Sequence, residues 1–588
     1  MTLTSNIETS DSFSKTPDTS MIPLSSENGK DAIMILNEAP ADFKASWDLF
    51  CIFFVLCLFS FLSALDGTII TTSLPTITRE IGGGGDQLYV WIAQCFMFSS
   101  TVPQPLFGQM ADIFGRRNPF FLAIILFALG SGLSGGAISP TMLIVGRTVQ
   151  GLGAAGLYVL SDIIICDLVP PRHRGPYLSA VLSFAGIGST IGPVVGGALA
   201  AQNWRWIFYL NLPISLFGLI VMLLLLKVKY ARSPTWLHAL RRVDFLGALI
   251  FIPSMISIFL ALVNGGVQHA WSSWRIILPL ILGICGWIAY HFHQATPSIC
   301  PNPSTPPRLF AHRTSATGFL LIFLCSIIMQ SIAYFLPLYF QAIKLATPLL
   351  SGVYYLPFAL AIIPFAGTGG WLLSKYGKYI SFHYAGFALL ALGAGLFSTL
   401  TADSSRAAWI GFQIIPSAGI ALIFVATLPS TLAALKESDV AVATATYSFV
   451  RSFGFVWGVT IAGVVFNGQV DTHLYLVKSE EVRSLLKNGA AYAFAASGQG
   501  IKGLSDETTR EQVVEVYVKA LRIVWLVMMV LALVGLVSVP LEKHIEMRKE
   551  HTTEFGLDAN EKSGDIEEGK GSVVGVEKER QDIDVEWC

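Results

Sequence analysis

Apolar runs of about 20 residues recur along nearly the whole chain, separated by short polar segments. Each is long enough to cross ~30 Å of hydrocarbon as a helix. Helix is the economical form for such runs, because lipid offers no partner for an unpaired backbone amide. The pattern predicts fourteen spans, near 49–70, 89–108, 119–138, 141–165, 176–199, 206–227, 244–264, 275–293, 315–337, 350–373, 380–400, 407–432, 440–466 and 522–541. Residues 1–47 and 544–588 read as disordered tails, and 467–521 as one long external loop. After residue 543 there are thirteen acidic and six basic residues with few aromatics, a composition that buries too little apolar surface to fold.

Composition agrees with a membrane setting. Of the 588 residues, 53% are hydrophobic and only 13% charged, about half the charged share of a soluble chain. Alternate loops collect the basic residues: Arg116 and Arg117, Arg172 and Arg174, Lys227 to Arg242, Arg308 and Arg313, Lys375 and Lys378. Such loops face the cytoplasm by the positive-inside rule, and an even span count puts both tails there too. Six of the eight cysteines fall inside spans or at the edge of one, which argues against a disulfide framework. A net charge of −1 gives no basis for a nucleic-acid partner. No phosphate-binding loop is present, since Gly82 to Gly85 lack the lysine and following helix. No His/Cys set has metal-ligand spacing, and no catalytic constellation is visible. The expectation is a carrier without cofactor or metal, not an enzyme.

The most specific motif lies between the second and third spans. Gly108, Asp112, Gly115, Arg116 and Arg117 follow the pattern Gly-x3-Asp-x2-Gly-Arg-Arg. It resembles the loop joining helices 2 and 3 in the major facilitator superfamily. Gly370, Ser374, Gly377 and Lys378 repeat its spacing at an offset of 262. Six helices with loops take roughly 180–200 residues, so the offset leaves room for two more between the repeats. The resulting plan is all-α and polytopic: a major facilitator fold with two six-helix bundles, 48–228 and 313–543, around a linker, 229–312, holding two extra central helices. That is the plan of the 14-spanner drug:proton antiporters.

Further motifs resemble that branch. Leu65-Asp66-Gly67-Thr68-Ile69 puts an acid inside the first span, and an intramembrane acid normally faces a cavity or a partner. Arg147-Thr148-Val149-Gln150-Gly151-Leu152-Gly153 in span 4 resembles the family's Arg-x2-Gln-Gly-x-Gly motif. Asp66 near the external end is the leading proton carrier. Arg147 lies at comparable depth, and whether the two side chains meet stays open in the sequence. Gly188, Gly192, Pro193 and Gly196 in span 5 resemble the superfamily's antiporter motif, and Gly-x3-Gly spacing also lets helices approach closely. Trp204 and Trp206 fit an interfacial belt. Gln150 and Arg451 are expected along the translocation path, Arg451 either facing a cavity or forming an ion pair. Gly108, Asp112, Gly115, Arg116 and Arg117 are expected to form the cytoplasmic gate, with Asp162 as partner.

The resemblance implies a proton-coupled exporter of small apolar or amphipathic compounds such as drugs, toxins or secondary metabolites. It would be energised by the proton gradient and work as a monomer in the lipid bilayer, most readily the plasma membrane. Transport of siderophores or basic amino acids at the plasma or vacuolar membrane is the alternative, and a non-transporting nutrient sensor another.

Overall fold

The computed structural model describes residues 46–81, 86–227, 235–266, 268–487, 489–496 and 500–546. The tails expected at 1–47 and 544–588 therefore lie almost wholly outside the described residues. The helices are α1 (Trp47–Ile81), α2 (Asp86–Thr101), α3 (Gln104–Phe114), α4 (Arg117–Gly135), α5 (Pro140–Leu168) and α6 (Arg174–Gln202). After α7 (Trp206–Leu225) come α8 (Phe245–Asn264) and α9 (Trp274–Gln294). The chain continues with α10 (Arg313–Ala342), α11 (Pro348–Tyr376), α12 (Tyr379–Phe397), α13 (Arg406–Ala433), α14 (Val440–His473) and α15 (Glu507–Ser538). Thirteen helices among the described residues are long and apolar enough to cross a membrane.

The span expected as one helix at 89–108 departs from that pattern. It is built from α2 and α3, broken at Val102–Pro103 and continued to Phe114. Pro103 and Pro105 have no N–H, so two helical hydrogen bonds cannot form there. Gln104 bridges the break with its side chain, whose amide donates to the Ser100 carbonyl at 2.8 Å.

Much of the segment expected as a long external loop, 467–521, is helical. α14 continues to His473, short helices follow at Glu480–Leu486 and Ala491–Ala496, and α15 begins at Glu507. Asp506 caps α15 by accepting from the Thr508 and Thr509 amides at 3.3 and 3.0 Å. Val513, Val516, Tyr517, Ala520, Leu521 and Val524 then form one buried stripe. Their helical period hides among charged residues that lower the average hydropathy.

Packing repeats along the chain. α1 lies on α6, α5 on α4 and α2, and α7 on α4 and α1. In the second half α10 lies on α14, α13 on α12 and α11, and α15 on α12 and α10. The two sets meet where α6 packs on α11 and α3 on α14. α8 and α9 pack on each other, and Phe251, Met255 and Phe259 of α8 join a cluster with Phe98 of α2 and Phe449 and Phe453 of α14. α8 and α9 thus sit against the seam between the two sets. Dispersion contacts hold such faces together, since lipid tails remove any hydrophobic drive between helices.

Candidate functional site

α5 carries Arg147 and Gln150 three residues apart, on one face of the helix. α1 brings Asp66 against them, α4 brings Ser131 and α7 brings Asn211. All five side chains are fully buried. Gln150 Nε2 donates to Asp66 Oδ2 and, at 2.7 Å, to Ser131 Oγ. Asn211 Nδ2 donates to the same two acceptors at 3.0 and 3.2 Å. Arg147 Nη1 stands 3.9 Å from Asp66 Oδ2 and donates to Gln150 Oε1 at 2.9 Å. Its Nη2 donates to the Asp66 backbone carbonyl at 3.0 Å. The guanidinium lies 4.2 Å from the centroid of Phe96, near enough for a cation–π contact.

All the side-chain hydrogen bonds to the carboxylate therefore fall on one oxygen. Asp66 Oδ1 is buried and has no hydrogen-bond partner among the described residues. A carboxylate with one oxygen loaded with donors and the other open can accept a proton without dismantling its cage. Arg147 and Asp66 do meet, as charges in proximity and not as a bidentate pair. Asn211 and Ser131 were not singled out from sequence. Asn211 stands two residues before Pro213, at the start of its span. α1 runs eleven residues past 70, so Asp66 is an interior helical residue.

Glycines permit this close assembly. A methyl at Gly188 would overlap the Phe61 carbonyl, at Gly192 it would come within 3.0 Å of the Leu65 carbonyl oxygen, and at Gly196 it would overlap that of Ile69. The stripe expected on α6 is thus the surface on which α1 lies, directly beside Asp66. Pro193 sits inside α6 next to the central glycine of the three. On α5, Gly151 faces α2 and Gly153 faces α4, where added methyls would come within 2.7 Å of the Phe96 and Ala123 carbonyl oxygens.

The basic end holds a second polar region. Gly115 turns the chain with φ 76°, and its echo Gly377 does the same with φ 69°, a conformation that favours glycine. Arg116 Nε reaches Asp167 Oδ2 at 2.6 Å, and its Nη1 reaches Asp112 Oδ1 at 3.1 Å. Asp167 is the acid that sequence reasoning missed. Asp162, expected as the partner in this group, instead meets Arg451 Nη2 at 3.4 Å and Ser448 Oγ at 3.3 Å. Five residues along a helix is about 140° of rotation, so Asp162 and Asp167 face different neighbours. Arg451 adopts the ion-pair alternative and ties α14 to α5. Arg117 leaves the group as well, donating to the Leu223 carbonyl at 3.0 Å.

The halves touch through small residues here. A methyl on Gly370 of α11 would come within 2.9 Å of the Pro176 nitrogen of α6, and one on Gly108 would overlap Ala445 of α14. Arg174 lies 3.8 Å from Glu437, and His173 Nδ1 lies 3.3 Å from Ser374 Oγ.

Three groups at the same end were not associated from sequence. Asp244, His293 and Cys300 bring a carboxylate oxygen, a ring nitrogen and a sulfur within 4.8 Å of one another. Their separations of 49 and 7 residues resemble no metal-binding spacing, which is why the linear reading expected none.

At the opposite end Trp204 is almost wholly buried, against the belt expectation, and donates to Glu80 at 2.7 Å. Arg205 meets Glu80 at 2.6 Å. The hydrogen bonds from Arg205 and then Trp204 hold the Glu80 carboxyl below the usual range. Trp206 is exposed, as a belt residue would be.

A profile of the Major Facilitator Superfamily matches residues 56–459. The MFS efflux transporter aclA of Aspergillus oryzae is 47% identical over 527 residues, covering 90% of this chain and 94% of aclA. Efflux pump FUS6 of Gibberella moniliformis is 41% identical over 535 residues, covering 90% and 94%. The MFS-type transporter gkaD of Penicillium citrinum is 41% identical over 526 residues, covering 89% of each chain. The crystal structure of the human organic anion transporter MFSD10 superimposes with a TM-score of 0.51 at 15% identity, over 83% of this chain and 100% of that one, a likeness of fold alone. Matched by that profile and aligned with such relatives over nearly its whole length, the chain belongs to the Major Facilitator Superfamily and is a multi-pass membrane transporter.

Proposed function

We propose that the protein is a proton-coupled antiporter that exports small apolar or amphipathic compounds by alternating access. The observation that carries this reading is the Asp66 cage: a fully buried carboxylate with one oxygen loaded by Gln150 and Asn211, the other open, and an arginine 3.9 Å away. In this reading α1–α7 and α10–α15 form two six-helix bundles, with α8 and α9 added at their seam. The basic end faces the cytoplasm and is closed by the α6–α11 and α3–α14 contacts. Opening that end separates the bundles and alters the surroundings of α1 and α5. The proton held by Asp66 is released on one side, and Arg147 takes over the neutralisation of the bare carboxylate. Export as the direction rests on the glycine stripe with Pro193 in α6 and on relatives whose names describe efflux. A membrane potential of 100 mV supplies ~2.3 kcal/mol for each charge moved, enough for one or two protons to sustain a useful gradient.

The test is dye efflux in proteoliposomes carrying an imposed pH gradient, using a panel of lipophilic fluorescent cations and neutral aromatic dyes. The wild-type protein should export at least one of them only when the gradient is present, with proton movement in the opposite direction. Gradient-independent export undiminished in Asp66→Asn would refute the coupling role. Inward-only accumulation would refute the direction.

A further inference from the structure

We propose that Asp244, His293 and Cys300 form a binding site for a borderline-soft divalent cation, with zinc the best match, at the basic end of the extra helix pair. The three groups come from the entry to α8, the last turn of α9 and the segment beyond it. Their ligating atoms already lie within 4.8 Å of one another. His293 Nε2 and Asp244 Oδ1 are 2.9 Å apart, and two ligands of a tetrahedral zinc with bonds of about 2.0 Å stand about 3.3 Å apart. Two of the three are therefore near ligand spacing, and with Cys300 within 4.8 Å of both the set offers one face of a tetrahedron, with water at the fourth position. Calcium and magnesium fit poorly, because both require oxygen ligands. Thiolate with imidazole and carboxylate selects a zinc-like ion.

Charge and surroundings agree. Aspartate and thiolate together cancel the dication, and the Cys300 proton leaves to water on binding. Cys300 and His293 are both buried. Asp244 is already oriented by outer contacts of the kind that support metal ligands. Its Oδ1 accepts from the Gly247 amide at 2.7 Å and its Oδ2 from Gln294 Nε2 at 2.5 Å. Gln294 Oε1 in turn accepts from the Thr305 amide at 3.0 Å.

The site reaches the signature loop through Gln109. That side chain accepts from the Asp244 backbone N–H at 3.1 Å and donates to the Asn302 carbonyl at 2.5 Å. A cation fixing Asp244 to Cys300 would fix both backbone groups that hold Gln109. It would brace the linker against α3, independently of the proton chemistry at Asp66.

The experiment uses the full-length protein in detergent, stripped with a chelator and titrated with zinc against a chromophoric competitor. One zinc per chain is expected, with affinity falling at least about tenfold in Cys300→Ser and in His293→Gln. Cadmium should give a sulfur-to-metal charge-transfer band that Cys300→Ser abolishes. Should either variant fail to fold, zinc protection of the wild-type Cys300 thiol from alkylation, read by peptide mass spectrometry, replaces it. Absence of stoichiometric binding, binding unchanged in both variants, or an unprotected Cys300 would overturn the proposal. Transport is not part of the readout, so a failure at Asp66 and a failure here are separable.

Discussion

In the first half of the chain α5 sets an arginine and a glutamine against a buried aspartate. α13, its counterpart by packing, carries Gln413 and Ser417, which donate instead to main-chain carbonyls at 2.8–3.0 Å. The second half does bury two acids, Asp439 and Glu542, but they lie just before α14 and beyond α15, meeting Arg308 and His383 at 2.8 Å each. One helix-packing plan therefore serves two interiors: one in which a mid-helix group can change its charge, and one whose polar groups at the matching place are neutral. Coupling chemistry can be confined to one half while the other supplies a matching surface to move against.

The largest expected effect separates the halves outright. Asp66→Asn should bring gradient-driven efflux to the level of empty vesicles, whereas Gln413→Leu should retain transport and lose only about 1 kcal/mol of stability. Equal loss in both would end the contrast. Next in size is Arg147→Met, which leaves the Asp66 carboxylate buried without its counter-charge. A destabilisation of about 3–5 kcal/mol is expected, read from thermal unfolding in micelles, and Asp66→Asn in the same chain should recover much of it. Gly192→Val tests whether the glycine stripe matters for geometry beside the cage. Overpacking against Leu65 should cost about 1–3 kcal/mol and lower transport, while valine at Gly186, where an added methyl meets nothing within 4 Å, should be near neutral. The smallest effect lies outside the membrane. Because Glu80 titrates below its ordinary value, its contribution is complete above the unfolded pKa of ~4.3 and is lost as pH falls through the lower folded value. The thermal-stability difference between wild type and Glu80→Gln should shrink over that acidic range and stay flat from pH 5 upward.

Hydropathy made the spans legible because lipid permits few alternatives for a long apolar run. The break at Pro103 was written in the sequence as two prolines flanking Gln104, yet averaging over a window erases a two-residue feature. α15 was read too short for the same reason, its charged first turns outweighing a regular buried stripe. Asp66, Arg147 and Gln150 could be found because each is costly in a span. Asn211 and Ser131 are cheaper there and so less conspicuous, although they complete the cage. Arg116 could have met either Asp162 or Asp167, and the choice turned on helical phase near a terminus. The grouping of Asp244, His293 and Cys300 depends on how α8 and α9 pair, which no spacing rule encodes.

The interruption between α2 and α3 divides one stretch of the chain into two limbs with different packing partners. α2 is fastened to α5, while α3 packs on α14 as well as on α5 and α4. The Gln104 side chain spans the gap, holding the Ser100 carbonyl and, at 3.2 Å, Ser452 of α14. A joint already lacking two main-chain hydrogen bonds can flex without breaking any more of them. A tilt of α3 as its contact with α14 opens can therefore be absorbed at Val102–Pro103, leaving the limb nearest Asp66 and Arg147 in place.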